Sequence, residues 1–165
     1  MGGSEPQAVA DRMNTITIDS AREEDIDAIV AIEREAFSDP WSARSFREAL
    51  EHPSVYFGCA RSGADGVQGY VVAWFVADEG EIANLAVAPS GRGTGIGKAL
   101  LDAALEEAGR RGAGAVYLEV RDSNERARRL YHSRAFEEVG RRRQYYRRPV
   151  EDAIVLRRTL KQVDE

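Results

Sequence analysis

A glycine-rich segment between an extended run and a helical run constrains the fold of this chain more than any other feature. Residues 91–97 read GRGTGIG and follow the apolar stretch Glu81–Val87, which Pro89 closes. The sequence therefore predicts a strand, a tight glycine loop and a helix in succession, the unit from which α/β domains are built. Beyond the loop, apolar residues recur at helical spacing, namely Ile96, Leu100, Leu101, Ala104 and Leu105.

Two nucleotide-binding patterns do not fit this loop. The dinucleotide-binding pattern G-x-G-x-x-G, begun at either of the first two glycines of the loop, would end on Ile96 or Lys98 instead of glycine. The phosphate-binding pattern G-x-x-x-x-G-K-[ST] would need glycine in place of Arg92 and a hydroxyl residue in place of Ala99. Both classes of site are excluded.

The pattern that remains is R-x-x-G-x-G, formed by Arg92, Gly95 and Gly97. Glycines let backbone N–H groups approach an anion, and the free amides and dipole of a helix N-terminus stabilise negative charge. The loop is suited to a pyrophosphate, although the same residues could also form a purely structural turn.

The whole chain of 165 residues predicts one domain. Residues 1–13 are predicted to be a disordered tail, and residues 14–165 to hold the order β-α-α-β-β-β-α-β-α-β-β. That order indicates a mixed α/β fold, mostly antiparallel, of about seven strands and four helices. No apolar run is long enough to span a membrane. The single Cys59 fits a reducing cytoplasm and is expected to pack in the core. His52 and His132 lack companion ligands, so no metal site is expected.

Charge is distributed unevenly along the chain. The net charge is −5, yet residues 121–148 hold ten arginines and four acidic residues and carry +6. A surface of salt bridges and a surface for an anionic partner, either coenzyme phosphates or RNA, both explain this segment. An RNA module would also need stacking aromatics or a recognised nucleic-acid motif, so nucleic acid is not an expected partner.

Several blocks of the sequence resemble the GNAT superfamily of acetyltransferases. The resemblance covers about residues 14–160 and rests on Leu85-Ala86-Val87, the R-x-x-G-I-G loop and the block LEVRDSNERARRLYHSRAF at 118–136. Three further segments resemble more narrowly the ribosomal-protein-alanine and eukaryotic N-terminal acetyltransferases: FSDPWS at 37–42, YLEVR-x-SN at 117–124 and QYY…EDAIVL at 144–156.

The resemblance implies a GNAT fold, acetyl-coenzyme A as co-substrate and no metal. It also implies two groups of binding residues. The residues that would flank the acceptor groove are Trp41, Tyr145 and Tyr146, although the sequence alone explains them equally well as core aromatics. The residues that would hold the coenzyme are Leu85, Ala86, Val87, Arg92, Gly93, Thr94, Gly95, Ile96, Gly97, Lys98 and Asn124.

Two residues are candidates for proton transfer. Strand alternation places Glu119 on the face opposite Val116, Leu118 and Val120. By resemblance Glu119 is the general base, acting directly or through water, and Tyr131 protonates the departing thiolate. From the pattern alone, a solvent-facing glutamate is the better explanation of Glu119, and a core aromatic is the better explanation of Tyr131.

The acceptor that the resemblance implies is a protein N-terminal α-amine, with the N-terminal alanine of a small-subunit ribosomal protein as the specific expectation. Transfer would be direct, within a ternary complex in the cytoplasm. A small-molecule amine or aminoacyl-tRNA is an alternative acceptor. A catalytically silent module that binds acetyl-coenzyme A is an alternative of another class.

Overall fold

A computed structural model describes residues 15–160, so the predicted tail at 1–13 lies outside the described residues. The elements follow the predicted order, and short 3-10 turns precede the first and third helices. The strands and helices are β1 (Ile16–Ser20), α1 (Ile26–Ala36), α2 (Ala43–Glu51), β2 (Val55–Ser62), β3 (Gly66–Val76), β4 (Glu79–Val87), α3 (Ile96–Arg110), β5 (Ala115–Arg121), α4 (Glu125–His132), β6 (Glu137–Tyr146) and β7 (Glu151–Thr159).

All seven strands form one sheet in the order β1-β2-β3-β4-β5-β7-β6. Every neighbouring pair is antiparallel except β4 and β5, which α3 connects as a crossover helix. Four helices and a mixed, mostly antiparallel sheet of seven strands confirm the predicted fold class.

The pairing of β4 with β5 is incomplete, and this shapes the site. The register runs from Glu79↔Ala115 to Ile82↔Leu118 and ends there, although both strands continue. Residues 84–87 of β4 pair with β3 on one side. Toward β5, they open a gap in the middle of the sheet.

Helices cover both faces of the sheet, and each face has its own hydrophobic cluster. Side chains alternate between the two clusters along β3. Val71 and Ala73 belong to a core with α3 and α4. Tyr70 and Val72 belong to a second core with α1 and α2, centred on Phe46.

Strand β5 alternates in the predicted way. Val116, Leu118 and Val120 are buried in the core beneath α3 and α4. Glu119 and Arg121 therefore lie on the face that α1 and α2 cover. Within residues 15–160, no helix is long and apolar enough to cross a membrane.

Candidate active site

A cleft of about 680 Å³ lies where β4 and β5 part. Its walls are the end of β4, the glycine loop, the start of α3 and one side of α4. Among its lining residues are ten of the eleven predicted coenzyme residues: Leu85, Ala86, Val87, Arg92, Gly93, Gly95, Ile96, Gly97, Lys98 and Asn124. Thr94 does not line the cleft, because its hydroxyl turns back to donate to the carbonyl of Gly91.

The glycine loop presents unpaired amides to this cleft. Gly95, at the N-cap of α3, has a φ of 89°, in the left-handed region that favours glycine. The first backbone bond of the helix runs from the Ala99 N–H to the Gly95 carbonyl at 3.0 Å. No side chain caps the helix. The three preceding amides, of Ile96, Gly97 and Lys98, therefore lack a helical acceptor and are available to an anion.

Three cationic side chains line the same cleft, those of Lys98, Arg126 and Arg129. The two arginines were not predicted as site residues. Their spacing was an available signal, because residues three apart on a helix share a face. Arg92 also lines the cleft, but its guanidinium pairs with Glu35 of α1 at 2.6 Å.

The arginine-rich segment, residues 121–148, supports both explanations of its charge, because some of its arginines line the cleft and others form salt bridges. Two of its arginines line the cleft, as an anionic ligand requires. Five others form ion pairs with carboxylates, as a salt-bridged surface requires: Arg121, Arg128, Arg134, Arg141 and Arg142.

Tyr131 reaches the cleft from α4 and is otherwise enclosed. Its exposed fraction is 7%, and its ring packs edge-on against Phe136 with centroids 5.6 Å apart. Burial, followed by the proximity of Tyr146, raises the pKa of Tyr131 far above that of a free phenol. The phenol therefore keeps its proton at neutral pH and can donate it.

Glu119 lies in a different cavity, of about 270 Å³, whose walls include Trp74, Glu81 and Arg142. Its carboxylate oxygen Oε1 is 2.7 Å from Nε of Arg142. Burial and then the charge of Glu119 raise the pKa of the neighbouring Glu81. Glu81 and Arg142 were not predicted as site residues, because the strand pairing that brings them to Glu119 is long-range.

The two candidate proton-transfer residues are thus on opposite faces of the sheet, beside the gap between β4 and β5. Tyr146 lies within electrostatic reach of both. Burial and then the charge of Glu119 raise the pKa of Tyr146 to about 12. Tyr146 in turn contributes to the raised pKa of Tyr131. This arrangement lets an amine approach Glu119 from one face while a thioester carried in the cleft approaches from the other.

The predicted acceptor-side aromatics differ in their placement. Tyr145 is 49% exposed, and the nearby charge of Glu119 raises the pKa of its phenol. The ring of Tyr146 lies 4.3 Å beneath the guanidinium of Arg121. Trp41 lines neither cavity; its ring packs against Phe46 at 5.3 Å.

Cys59 is fully buried, and burial raises the pKa of its thiol to about 11. A protonated, inaccessible thiol cannot serve as the nucleophile of an acetyl-cysteine route. Over the described part of the chain, no three His, Cys, Asp or Glu side chains are grouped so as to hold a metal ion.

Comparison with known proteins assigns this site to a family. The profile of the acetyltransferase (GNAT) family matches residues 26–136, which is more than half of the chain. The chain belongs to the GNAT family. As a GNAT N-acetyltransferase, it uses acetyl-coenzyme A as its co-substrate. The open amides and the cations of the cleft fit the phosphates of that molecule.

Relatives of this GNAT enzyme carry more specific names. It is 35% identical over 148 residues to the [ribosomal protein bS18]-alanine N-acetyltransferase of Escherichia coli K12, covering 87% of this chain and 96% of that protein. It is 38% identical over 149 residues to the N-alpha-acetyltransferase RimI of Mycobacterium tuberculosis, covering 87% and 92%.

Solved structures agree with the fold. The crystal structure of the E. coli ribosomal-protein-S18-alanine N-acetyltransferase superposes with a TM-score of 0.83 at 31% identity, covering 92% of this chain and 97% of that one. Arabidopsis thaliana NAA60 in complex with acetyl-CoA superposes with a TM-score of 0.80 at 21% identity, covering 88% and 100%, and supports the fold alone.

Proposed function

We propose that this GNAT enzyme acetylates the α-amine of a protein N-terminus, and that its acceptor is the N-terminal alanine of a small-subunit ribosomal protein. The placement of Glu119 and Tyr131 on opposite faces of one gap carries the proposal, because it suits direct transfer between two substrates bound together. The names of relatives at 35% and 38% identity support the choice of acceptor.

The coenzyme would be held mainly by backbone groups. Residues Leu85–Val87 border the gap. The amides of residues 96–98 would bind the pyrophosphate, with Lys98, Arg126 and Arg129 offsetting the phosphate charge. Asn124 accepts a bond from the Ala127 N–H at 3.1 Å as the N-cap of α4. That bond leaves the amide nitrogen of Asn124 to donate to the ligand.

When bound, acetyl-coenzyme A supplies the thioester carbonyl and a thiolate leaving group. Amides near Val87 would stabilise the oxyanion. Glu119 accepts the proton of the attacking amine, directly or through water, and Tyr131 donates its proton to the departing sulfur. An N-terminal amine titrates near about 8, so roughly a tenth is neutral at pH 7 and modest base assistance is enough.

The acceptor class is tested with a panel at equal acetyl-coenzyme A, following coenzyme release. We expect acetylation of a short peptide with a free N-terminal alanine, and none of its N-blocked, lysine-containing counterpart. Lysine titrates near 10.4, so its neutral form is roughly a hundredfold scarcer than that of an α-amine.

Two other results of the acceptor panel would contradict the proposed acceptor. If the blocked peptide, a polyamine or aminoacyl-tRNA has the higher kcat/KM, the proposed acceptor is wrong while the family assignment stands. If nothing in the panel, including ribosomal proteins, is acetylated although acetyl-coenzyme A binds, the silent binding module becomes the better explanation.

A further inference from the structure

One arginine connects the two chain segments that border the acceptor face. Arg121 ends β5, two residues after Glu119 and on the same face of the sheet. Its Nη2 donates to the hydroxyl of Ser38 at 3.0 Å, in the segment that joins α1 to α2. The same nitrogen donates to the carbonyl of Arg147 at 3.2 Å, in the turn between β6 and β7.

The other guanidinium nitrogen strengthens the link to that turn. Nη1 of Arg121 donates to the carbonyl of Pro149 at 3.0 Å and lies 3.3 Å from the carboxylate of Glu151. Glu151 also accepts bonds from the backbone and hydroxyl of Ser123, at 2.8 and 3.0 Å. The ring of Tyr146 lies beneath the guanidinium, and the Arg121 side chain is only 22% exposed.

The turn needs such support because the sheet does not fix it. The pairing of β6 with β7 is irregular between Arg142 and Tyr146. Gln144 and Arg148 adopt φ values of 52° and 67°, which non-glycine residues rarely occupy. The Gln144 amide donates to Asp152, and Ser123 donates to Glu151. Arg121 is the side chain that donates to the carbonyls of the turn itself, those of Arg147 and Pro149.

We propose that Arg121 is a positioning residue that sets the spacing between residues 37–42 and 144–151, and thereby the affinity for the acceptor. This inference rests on the proposed function. Arg121 acts through Tyr146 and the two segments. A planar fork with five N–H groups can reach both segments at once, whereas a lysine ammonium cannot.

The variant that tests this is Arg121→Lys, which keeps the charge and removes the fork. We expect the KM for the alanine peptide to rise about tenfold or more, which corresponds to the loss of charge-assisted bonds. The dissociation constant of acetyl-coenzyme A should stay within about twofold, because neither Arg121 nor its partners line the coenzyme cleft. Arg143→Lys is the matched control, an exposed arginine on the same hairpin for which the described residues offer no carboxylate within ion-pair distance.

A second, milder variant separates positioning from folding. Ser38→Ala removes only the contact to the first segment, and its effect on the peptide KM should be non-additive with that of Arg121→Lys. A general loss of structure would instead lower the melting temperature and weaken both substrates together.

The outcomes distinguish the two proposals. A wild-type enzyme that does not acetylate the peptide contradicts the proposed function. A wild-type enzyme that does, with an unchanged peptide KM in Arg121→Lys or with fully additive effects in the double variant, overturns the positioning role alone.

Discussion

The guanidinium of Arg142 forms an ion pair with the carboxylate of Glu119, with 2.7 Å between Nε and Oε1. The arginine side chain is 60% exposed, whereas the glutamate is only 19% exposed. An accessible cation thus rests where the proposed mechanism would bring the ammonium of an acceptor. Under that mechanism, Arg142 and the acceptor would compete for one carboxylate.

Replacing Arg142 by glutamine should therefore lower the KM for the alanine peptide, by about threefold, the scale of an exposed ion pair. Steady-state kinetics with Arg142→Gln, compared with Arg143→Gln on the same strand, measures this effect. A peptide KM that rises in Arg142→Gln alone would show that the guanidinium binds the acceptor instead of competing with it.

Replacing Tyr131 by phenylalanine removes one hydroxyl from the cleft. We expect kcat to fall about 10²-fold or more, with the affinity for acetyl-coenzyme A unchanged. Because its pKa is raised, Tyr131 stays protonated as the pH rises, so wild-type kcat should show no alkaline loss below pH about 9. Tyr56→Phe, at a half-buried tyrosine outside both cavities, is the control. Turnover within twofold of wild type in Tyr131→Phe would return this tyrosine to a packing role.

Replacing Gly95 by valine should abolish binding of acetyl-coenzyme A, measured by calorimetry. A β-branched residue is strained at a φ of 89°, and nothing in the protein lies within 4 Å of the added Cβ. The new side chain would project into the open cleft among the amides of α3. Gly140→Val, in β6 with the same free space and no positive φ, should bind normally. Normal affinity in Gly95→Val would contradict the proposed phosphate site.

Local patterns predicted the elements, the alternation of β5 and most of the cleft. The glycine loop and its flanking strand are contiguous, so ten of the eleven residues predicted to hold the coenzyme line one cleft. Contacts between distant residues were not predictable, because pattern and propensity carry no information about pairing. Ser38 and Arg121 are 83 positions apart. Trp41 was predicted at the acceptor groove, whereas its ring packs against α2.

Protonation of Asp25 should destabilise the fold in acid. The guanidinium of Arg61 holds its pKa below the usual range, and the carboxylate is only 4% exposed. A lowered folded-state pKa gives stability that is present above the unfolded value of about 3.9 and is lost as pH falls through the folded value. Asp25→Asn should lower the free energy of unfolding by about 3 kcal/mol at pH 7, measured by urea unfolding. The loss of stability below about pH 4 should also be smaller in this variant than in the wild type. The exposed pair of Arg44 and Glu48 is the control, since Glu48→Gln should cost less than about 0.5 kcal/mol. Equal costs would contradict this assignment.

A buried carboxylate joins α1 to the gap in the sheet. Glu33 is 1% exposed and accepts bonds from the hydroxyl of Tyr70, from Nδ2 of Asn84 at 2.9 and 3.0 Å, and from the Trp41 amide at 2.8 Å. Asn84 lies two residues beyond Ile82, the last residue of β4 that pairs with β5. One side chain therefore contacts both an edge of the gap and the end of the segment that joins α1 to α2.

Glu33→Ala leaves these buried donors without an acceptor and should cost at least about 3 kcal/mol of unfolding free energy. Glu33→Gln should cost less, about 1–2 kcal/mol, because the Tyr70 hydroxyl can turn and accept from the new amide while Asn84 and Trp41 keep one oxygen. Urea unfolding at pH 7 measures both, with Glu35→Gln on the exposed side of α1 as the control for losing one charge. If the Glu33→Gln protein is at least as stable as wild type, the desolvation penalty of the buried carboxylate exceeds the stabilisation that its hydrogen bonds provide. In that case the charge would be retained for the geometry of the gap, and acetylation by Glu33→Gln would fall although its fold did not weaken.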